Sequence, residues 1–395
     1  MNTTRPRIAR TCQIATWHVT PTLTSPSIRH INKRTTSHNW FYLNAIEIRC
    51  AYHSLCLADS ARIFHSQKRT LVCRGSRPTT SQLWFQERKR ASYSTAVFEL
   101  PQPIIHDIFE PRTGTWQYIV ADPITKAAVI IDPVLDYDRA TQVITTSSAD
   151  DLLSLIKRKG YTISRILETH AHADHLTAAS YLQNRLAQKH GEMPSIGIGK
   201  RISQVQDLFG QIYGVTIEER EGVFDKLFED DENFTIGNLR ATALHLSGHT
   251  PDHLGYEIGA NVFCGDSLFH VDIGTARCDF PGGSANNLFH SGRRLLSLPT
   301  HFKIWTGHDY PPTGRAYPVS WVTVGDHRKH NQHLKDGITE SEFVARRRER
   351  DAKLGEPKLL HQSLQTNIRA GQLPKPTASG HRMLRLPMKL GGMHW

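Results

Sequence analysis

Three histidines and one aspartate fall within six consecutive residues near the middle of the chain: His170, His172, Asp174 and His175. They follow the run Ile163–Leu167, which is typical of a buried strand. Alternate residues of an extended strand end point to the same side, so the first two histidines are expected to face one site. Asp174 and His175 are expected to converge on it from the first turn of a following helix. Imidazole and carboxylate suit Zn, Fe or Mn, and the lack of thiolate here argues against a structural cysteine-type zinc site.

Three further candidate ligands each directly follow a glycine in the sequence, shortly after a predicted strand. They are His249 after 238–246, Asp266 after 261–264 and His308 after 303–306. Taken singly, Asp174 is explained as a helix N-cap and Asp266 as a turn residue. All seven together favour a shared metal site, because the rigid strands of an α/β scaffold deliver side chains to one rim.

The rest of the pattern alternates strands with helices and predicts an α/β protein. The other predicted strands are 115–120, 127–131, 195–198 and 254–258. The predicted helices are 150–159, ended by Gly160, then 175–189, 200–209 and 286–297. The region after Pro312 is expected to be mostly helical, with helices over 341–353 and 357–370.

Positive charge is concentrated at the N-terminus. The net charge is +11, yet residues 1–96 carry 15 Lys or Arg against three acids, which leaves 48 − 15 = 33 bases and 37 − 3 = 34 acids in the remainder. An electrically neutral body argues against a nucleic-acid partner, because phosphate binding needs basic residues around the site. No apolar stretch approaches the roughly 18 residues of a membrane helix, so no membrane span is expected.

The N-terminal segment, residues 1–95, is rich in Arg, Ser and Thr and has no acid before Glu47. This composition resembles a mitochondrial transit peptide, with a processing site over Arg88–Thr95, and predicts a matrix location. A disordered extension or a wrong start site is the alternative, with a cytoplasmic location. Residues 96–315 are expected to form the catalytic domain and 316–395 a helical extension and tail. The six cysteines show no disulfide spacing, which favours a reducing compartment, and Cys278 is expected to be a buried small hydrophobe.

The order and spacing of the seven candidates resemble the metallo-β-lactamase superfamily, over roughly residues 100–315. The resemblance implies a four-layer αββα sandwich. Within the superfamily, the chain most resembles the persulfide dioxygenases of glutathione-dependent sulfide oxidation, with glyoxalase II as a near relative. The segments that carry this likeness are THAHADHLT (169–177), GHTPDH (248–253), GDSL (265–268), RCDF (277–280) and HDY (308–310).

By position, the resemblance implies that one Fe(II) per chain is held by His170, His249 and Asp266. Two imidazoles and one carboxylate leave coordination positions open, as a non-haem Fe(II) oxygenase requires. The substrates implied are glutathione persulfide and O2, the products are sulfite and glutathione, and a homodimer is one assembly consistent with the family. His172, Asp174, His175 and His308 would then orient the ligands of the iron or hold a second metal. Arg277 and Tyr310 are expected to contact the substrate, although a structural pair of Arg277 with Asp279 or Asp272 is an equal alternative.

The main alternative is a thioester hydrolase of the glyoxalase II kind, in which two Zn or Fe ions share Asp266. A metallo-nuclease is less favoured because the body of the chain is neutral. A protein that binds RNA or a partner through its basic N-terminal segment, without catalysis, is the third alternative. The chain also departs from better-known dioxygenases by a longer Asp266–Phe280 stretch and a longer tail. These departures weaken the substrate assignment and leave the metal assignment intact.

Overall fold

A computed structural model describes residues 102–392. The predicted transit peptide and its processing site lie outside the described residues, as do Cys12, Cys50, Cys56 and Cys73. The strands are β1 (Ile104–Glu110), β2 (Thr115–Ala121), β3 (Ala127–Ile131), β4 (Val134–Asp138), β5 (Val143–Thr145), β6 (Thr162–Leu167), β7 (Leu176–Thr177), β8 (Ser195–Gly199), β9 (Lys226–Phe228), β10 (Glu232–Ile236), β11 (Leu239–His245), β12 (Leu254–Ile258), β13 (Asn261–Phe263), β14 (Lys303–Trp305) and β15 (Trp321–Thr323).

The helices lie mostly between these strands in the chain. They are α1 (Ser147–Lys159), α2 (Ala179–His190), α3 (Ile202–Tyr213), α4 (Ala285–Leu296), α5 (Val324–His330), α6 (Glu340–Asp351) and α7 (Leu360–Asn367). Helix α1 ends at Gly160 as predicted: the glycine amide donates to the carbonyls of Ile156 and Lys157, and its left-handed φ of 69° turns the chain out of the helix.

The two main sheets have six strands each. The first has the order β1-β2-β3-β6-β8-β9, and the second has the order β10-β11-β12-β13-β14-β15. The first sheet is antiparallel on its β1-β2-β3 side and parallel from β3 to β9. In the second sheet only β13 and β14 are parallel. A small third sheet has the order β5-β4-β7, and its strand β7 directly follows His175 in sequence.

Three apolar cores separate four layers. Residues alternate in β2 and β3: Ile119 and Ile130 join a core with α1, α2, α3 and α7, whereas Tyr118 and Val129 face the second sheet. The third core lies between the second sheet and α4, α5 and α6, where Leu288 and Phe343 are fully buried. The order helix, sheet, sheet, helix confirms the predicted αββα sandwich.

One predicted helix begins later than expected. The expected helix 175–189 starts at Ala179, and the intervening residues Leu176 and Thr177 form β7, which pairs with β4. Asp174 and His175 therefore come from a loop, not from a first helical turn. The sequence does not predict the pairing of β7 with β4, because a strand of two residues is too short to show any period.

The region after Pro312 is less helical than predicted. It contributes β15, which extends the second sheet beside β14, and the part after Asn367 contains no helix within the described residues. Leu364 of α7 belongs to the first core and Phe343 of α6 to the third, so this region is packed into the sandwich. Its assignment as a separate C-terminal extension remains a prediction. Among residues 102–392, no helix is both long and apolar enough to cross a bilayer.

Candidate metal centre

The seven predicted residues meet on loops that leave the ends of four strands. His170 follows β6, His249 follows β11, Asp266 follows β13 and His308 follows β14. Gly248 has a φ of 143°, and a Cβ there would lie 2.3 Å from the backbone nitrogen of Leu288 in α4. Only glycine allows the loop to pass so close to the helix, which explains the glycine in front of His249.

One group of three residues satisfies the predicted ligand set. His170, His249 and Asp266 each offer one ligand atom, and the three atoms lie within 4.8 Å of one another. Nε2 of His249 is 3.6 Å from Oδ2 of Asp266, and the rings of His170 and His249 are 5.0 Å apart, nearly perpendicular. All three side chains are buried. A metal-sized site is therefore formed by two imidazoles and one carboxylate.

Hydrogen bonds on the far side of each ring fix which nitrogen faces this group. Nδ1 of His249 donates to the carbonyl oxygen of Arg277 at 2.8 Å. The Thr169 hydroxyl donates to Asp132 at 2.9 Å, so it accepts from Nδ1 of His170 at 2.9 Å. Both histidines thus carry their proton on Nδ1 and present the Nε2 lone pair to the site. Burial and the neighbouring histidines hold the pKa of His170 well below its usual value, which keeps that lone pair available.

His172 is oriented by two buried acids. Its Nε2 lies 3.1 Å from Oδ1 of Asp132 and 3.3 Å from Oε2 of Glu168. Although burial opposes it, the charge of Asp132 and its hydrogen bond, together with Glu168, raise the pKa of His172 well above the ordinary value. The acids thereby engage Nε2 of His172, and its ring lies between those of His170 and His175, with centroids 4.1 Å and 4.2 Å away.

A second group adjoins the first. His172, Asp174 and His175 also bring three ligand atoms within 4.8 Å of one another. Nε2 of His308 lies 3.1 Å from Oδ2 of Asp174 and 3.5 Å from Oδ1 of Asp266. Asp266 therefore stands between the two groups, with one oxygen near each. Although burial opposes it, His308 and His175 lower the pKa of Asp174.

The pattern of unpaired atoms fits a metal. Buried polar atoms normally have hydrogen-bond partners, because leaving one unpaired costs about 1–3 kcal/mol. Within the described residues, five ligand atoms of the cluster are buried without one: Nε2 of His170, Nδ1 of His172, Nε2 of His175, Oδ1 of Asp266 and Nε2 of His308. A divalent cation would satisfy such lone pairs, and nitrogen with carboxylate oxygen suits Fe or Zn.

The two predicted substrate contacts already have protein partners. The guanidinium of Arg277 pairs with the Asp279 carboxylate and donates to the Gly355 carbonyl oxygen at 2.8 Å. The ion pair of Arg277 with Asp279, which the sequence offered as the alternative to substrate binding, is therefore present. The backbone carbonyl of Arg277 also accepts the hydrogen bond of His249. Tyr310 stacks on His308 with ring centroids 5.7 Å apart, is half exposed and donates to the Thr113 carbonyl. Substrate binding by Arg277 and Tyr310 stays a prediction.

Several residues that hold the ligands in place were missed from the sequence. Asp132 directly follows β3, so it obeys the same rule of polar residues at strand ends and was detectable. His253 stacks on His170 with ring centroids 4.7 Å apart, and its Nε2 accepts the backbone N–H of Asp266 at 3.0 Å. Glu168 directly precedes the segment 169–177, but no pattern in the sequence indicates that it faces His172.

The two cysteines of the described region are free and buried, as expected for Cys278. Burial raises the pKa of Cys278 to about 12 and that of Cys264 to about 12, so neither thiol is activated as a thiolate.

Comparison with known proteins gives a consistent family. Residues 111–308 match the metallo-beta-lactamase superfamily. The chain is 42% identical to Glyoxylase B2 of Dictyostelium discoideum over 282 residues, 71% of this chain and 94% of the relative. It is 27% identical to the human mitochondrial persulfide dioxygenase ETHE1, covering 70% of this chain and 91% of the relative.

A solved structure supports the same family assignment. The crystal structure of ETHE1 from Myxococcus xanthus is 26% identical and superposes with a TM-score of 0.53, over 68% of this chain and all of that chain. The superfamily consists of metal-dependent enzymes, hydrolases and dioxygenases among them. With the αββα sandwich, the strand-end cluster and these similarities in place, the chain belongs to the metallo-beta-lactamase superfamily, in the branch that holds the persulfide dioxygenases and the relatives of glyoxalase II.

Proposed function

We propose that the protein is a persulfide dioxygenase that binds one Fe(II) through His170, His249 and Asp266. The reaction is glutathione persulfide plus O2 plus water giving glutathione, sulfite and two protons. The terminal sulfur is oxidised and O2 is reduced. The observation that carries the proposal is the buried group of two Nε2 lone pairs and one carboxylate, a ligand set that would leave coordination positions of a bound iron free.

Bound Fe(II) supplies the one-electron chemistry that O2 requires and free coordination positions for sulfur and oxygen. The chain's own residues hold and shield the site. The carbonyl of Arg277 and the hydroxyl of Thr169 fix the imidazole rings, so the ligands need no rearrangement when substrate arrives. The buried ring of Phe280 lies beside His249, with ring centroids 6.5 Å apart, and gives this side of the ligand group an apolar neighbour.

The tripeptide carrier needs cationic and hydrogen-bonding groups at the rim, since glutathione has two carboxylates. Arg277 is the proposed cation, with its guanidinium exchanging Asp279 for a glutathione carboxylate. Tyr310 is the proposed donor, since its half-exposed ring lies on His308. The similarity to the human persulfide dioxygenase supports this substrate class.

A hydrolase of glutathione thioesters is the second candidate. It is favoured by the 42% identity to Glyoxylase B2 and by the position of Asp266 between two groups of ligand atoms. Two metal ions bridged by this carboxylate would provide hydroxide at neutral pH. The two candidates therefore differ in metal count, O2 consumption and product.

The test is anaerobic purification of the full chain, iron and zinc quantification, and two parallel assays. One follows O2 uptake with glutathione persulfide, and the other follows hydrolysis of S-lactoylglutathione. We expect one iron per chain, O2 uptake and sulfite. Two metals per chain with thioester cleavage and no O2 uptake would reject the dioxygenase in favour of the hydrolase.

A variant of the second group sharpens the result. Asp174 belongs to that group and not to the first. If one iron sits on the first group, Asp174→Ala retains about one iron per chain. If the centre is binuclear, the same substitution reduces the metal content from two ions to one. The mitochondrial location and the homodimer remain predictions, to be tested by cell fractionation and by light scattering.

A further inference from the structure

Helix α7 reaches into the metal cluster through one side chain. Asn367, at the last position of α7, is buried. Its Nδ2 donates to the carbonyl oxygens of both His172 and His175, each at 2.8 Å. Its Oδ1 accepts the backbone N–H of Thr177 at 2.9 Å. One amide therefore holds both ends of the loop that carries Asp174.

An amide is suited to this role because it has two donor hydrogens and one acceptor oxygen in a single plane. The loop between His172 and Thr177 has no helix of its own, since α2 starts only at Ala179. Its inward carbonyls are buried and need donors from elsewhere. Asn367 supplies them from a position 195 residues beyond His172 and 192 beyond His175.

The helix that carries this side chain is itself firmly held. Leu364 and Ile368 are fully buried in the first core. Nε2 of Gln206 in α3 donates to the carbonyl of Ile368 at 2.9 Å. Gly371, just beyond α7, approaches so closely that a Cβ there would lie 2.9 Å from the carbonyl oxygen of Thr177. The amide is thus mounted on a rigid element, as accurate positioning requires.

We propose that Asn367 is a positioning residue of the metal centre: it sets the backbone of the His172–Thr177 loop and thereby the direction of the His172 and His175 rings. It lies outside residues 111–308, which match the superfamily, so this part of the site is completed by the C-terminal region. The inference rests on metal binding by the cluster, as in the proposed function, and holds for either reaction.

Three substitutions on α7 test it. Asn367→Leu keeps the approximate volume and removes all three hydrogen bonds. Asn367→Asp keeps the acceptor for Thr177 but places a carboxylate against two carbonyl oxygens. Ser363→Ala is the matched control, because Ser363 is equally buried on the same helix and its hydroxyl has no partner within residues 102–392.

The measurements are the Kd for Fe(II) under anaerobic conditions, the visible spectrum of the Co(II)-loaded protein, and the Tm of the metal-free protein. We expect Asn367→Leu and Asn367→Asp to raise the Kd about 10- to 100-fold and to shift the Co(II) bands. Ser363→Ala is expected to match the unaltered protein in both. If Asn367→Leu does not fold, Asn367→Ser provides the same comparison with a smaller polar side chain.

A role confined to packing predicts a different result, namely a lower Tm in the metal-free state with unchanged Kd and Co(II) spectrum. That result in both Asn367 variants would overturn the inference and leave the proposed function untouched. Failure of the unaltered protein to bind Fe(II) would overturn both. Weaker binding with altered spectra, but thioester cleavage in place of O2 uptake, would support the inference and reject only the dioxygenase.

Discussion

Oδ1 of Asp132 lies 3.1 Å from Nε2 of His172, and Oδ2 of the same carboxylate accepts from the Thr169 hydroxyl that in turn holds His170. One buried aspartate thus orients two neighbouring histidines, one directly and one through a threonine. Because the Asp132 carboxylate contacts His172 directly and His170 through Thr169, a substitution of Asp132 is expected to change the orientation of both imidazole rings.

Replacing Asp132 by Asn is expected to weaken Fe(II) binding about 10-fold or more, because the neutral amide no longer stabilises the arrangement of both rings. Metal content after dialysis measures this. Asp122→Asn is the control, since Asp122 is also a buried aspartate after a strand but bonds Thr125 and Asn238 away from the cluster. Equal metal retention in the Asp132 and Asp122 variants would contradict the assigned role.

His249→Ala is expected to remove iron and activity together, because it deletes one of three ligands of the proposed site. Metal quantification and O2 uptake on the same sample provide the measurement. His301→Ala, at an exposed histidine, serves as the comparison and is expected to retain both. Full iron occupancy in the His249 variant would rule out this ligand set.

Arg277→Ala is expected to raise the KM for glutathione persulfide about 10-fold with little change in kcat, because a charge-assisted hydrogen bond to the substrate is lost. The carbonyl that holds His249 is retained in this variant. Asp279→Asn separates the two roles of the guanidinium, since it breaks the ion pair and leaves the cation. Identical kinetics in both variants would mean that only the pair with Asp279 matters.

Metal removal is expected to lower thermal stability. A ligand that binds only the folded state at 100 times its Kd stabilises by about 2.7 kcal/mol, which is roughly 5–10 °C in Tm for a domain of this size. Calorimetry with and without a chelator measures the change. In the His249→Ala protein the chelator is expected to have no effect, and an equal shift there would point to a metal bound elsewhere.

Stability is also expected to fall on acidification because of His327, which is not part of the cluster. Burial lowers its pKa from 6.5 to about 4, and its Nδ1 accepts from the Asn331 amide. Between pH 6.5 and 4, His327 takes up a proton in the unfolded chain but not in the folded chain. The contribution of His327 to the free energy of unfolding is therefore complete above pH 6.5 and falls by about 3 kcal/mol toward pH 4.

The comparison is between the pH dependence of unfolding free energy in the unaltered protein and in His327→Gln, where this part of the slope is expected to disappear. His301→Gln, at an exposed position, is expected to leave the slope unchanged. Parallel curves for the unaltered and His327→Gln proteins would contradict the assignment.

Much of the sandwich could be predicted because its strands alternate or run continuously apolar. β2, β3, β6 and β11 were found within a residue or two, and the ligands were recognised because they stand just beyond such strands. Strands β1, β4, β5, β7, β9, β10 and β15 were not predicted. The two residues of β7 are too few to show a period. The places of β7 and β15 are decided by tertiary pairing with β4 and β14.

The partners of the ligands were harder to foresee than the ligands. Asp132 could have been found by the strand-end rule, but Asn367 lies in a region whose pattern indicates only a helix. Its role depends on a contact between residues far apart in sequence, which local composition does not encode. Likewise, the pairing of Arg277 with Asp279 instead of Asp272 is a matter of geometry, and Asp272 is taken by Arg315.

Helix α7 lies near the C-terminus and is therefore synthesised after the rest of the metal cluster. During synthesis the His172–Thr177 loop leaves the ribosome long before Asn367 is made. Until then the backbone of this loop lacks the three hydrogen bonds that the Asn367 side chain forms with it. A shortened polypeptide that stops before this helix would carry all seven residues of the cluster and yet lack the amide that sets the backbone of His172 and His175. Loading with iron is therefore expected to be a late event in the life of the nascent chain.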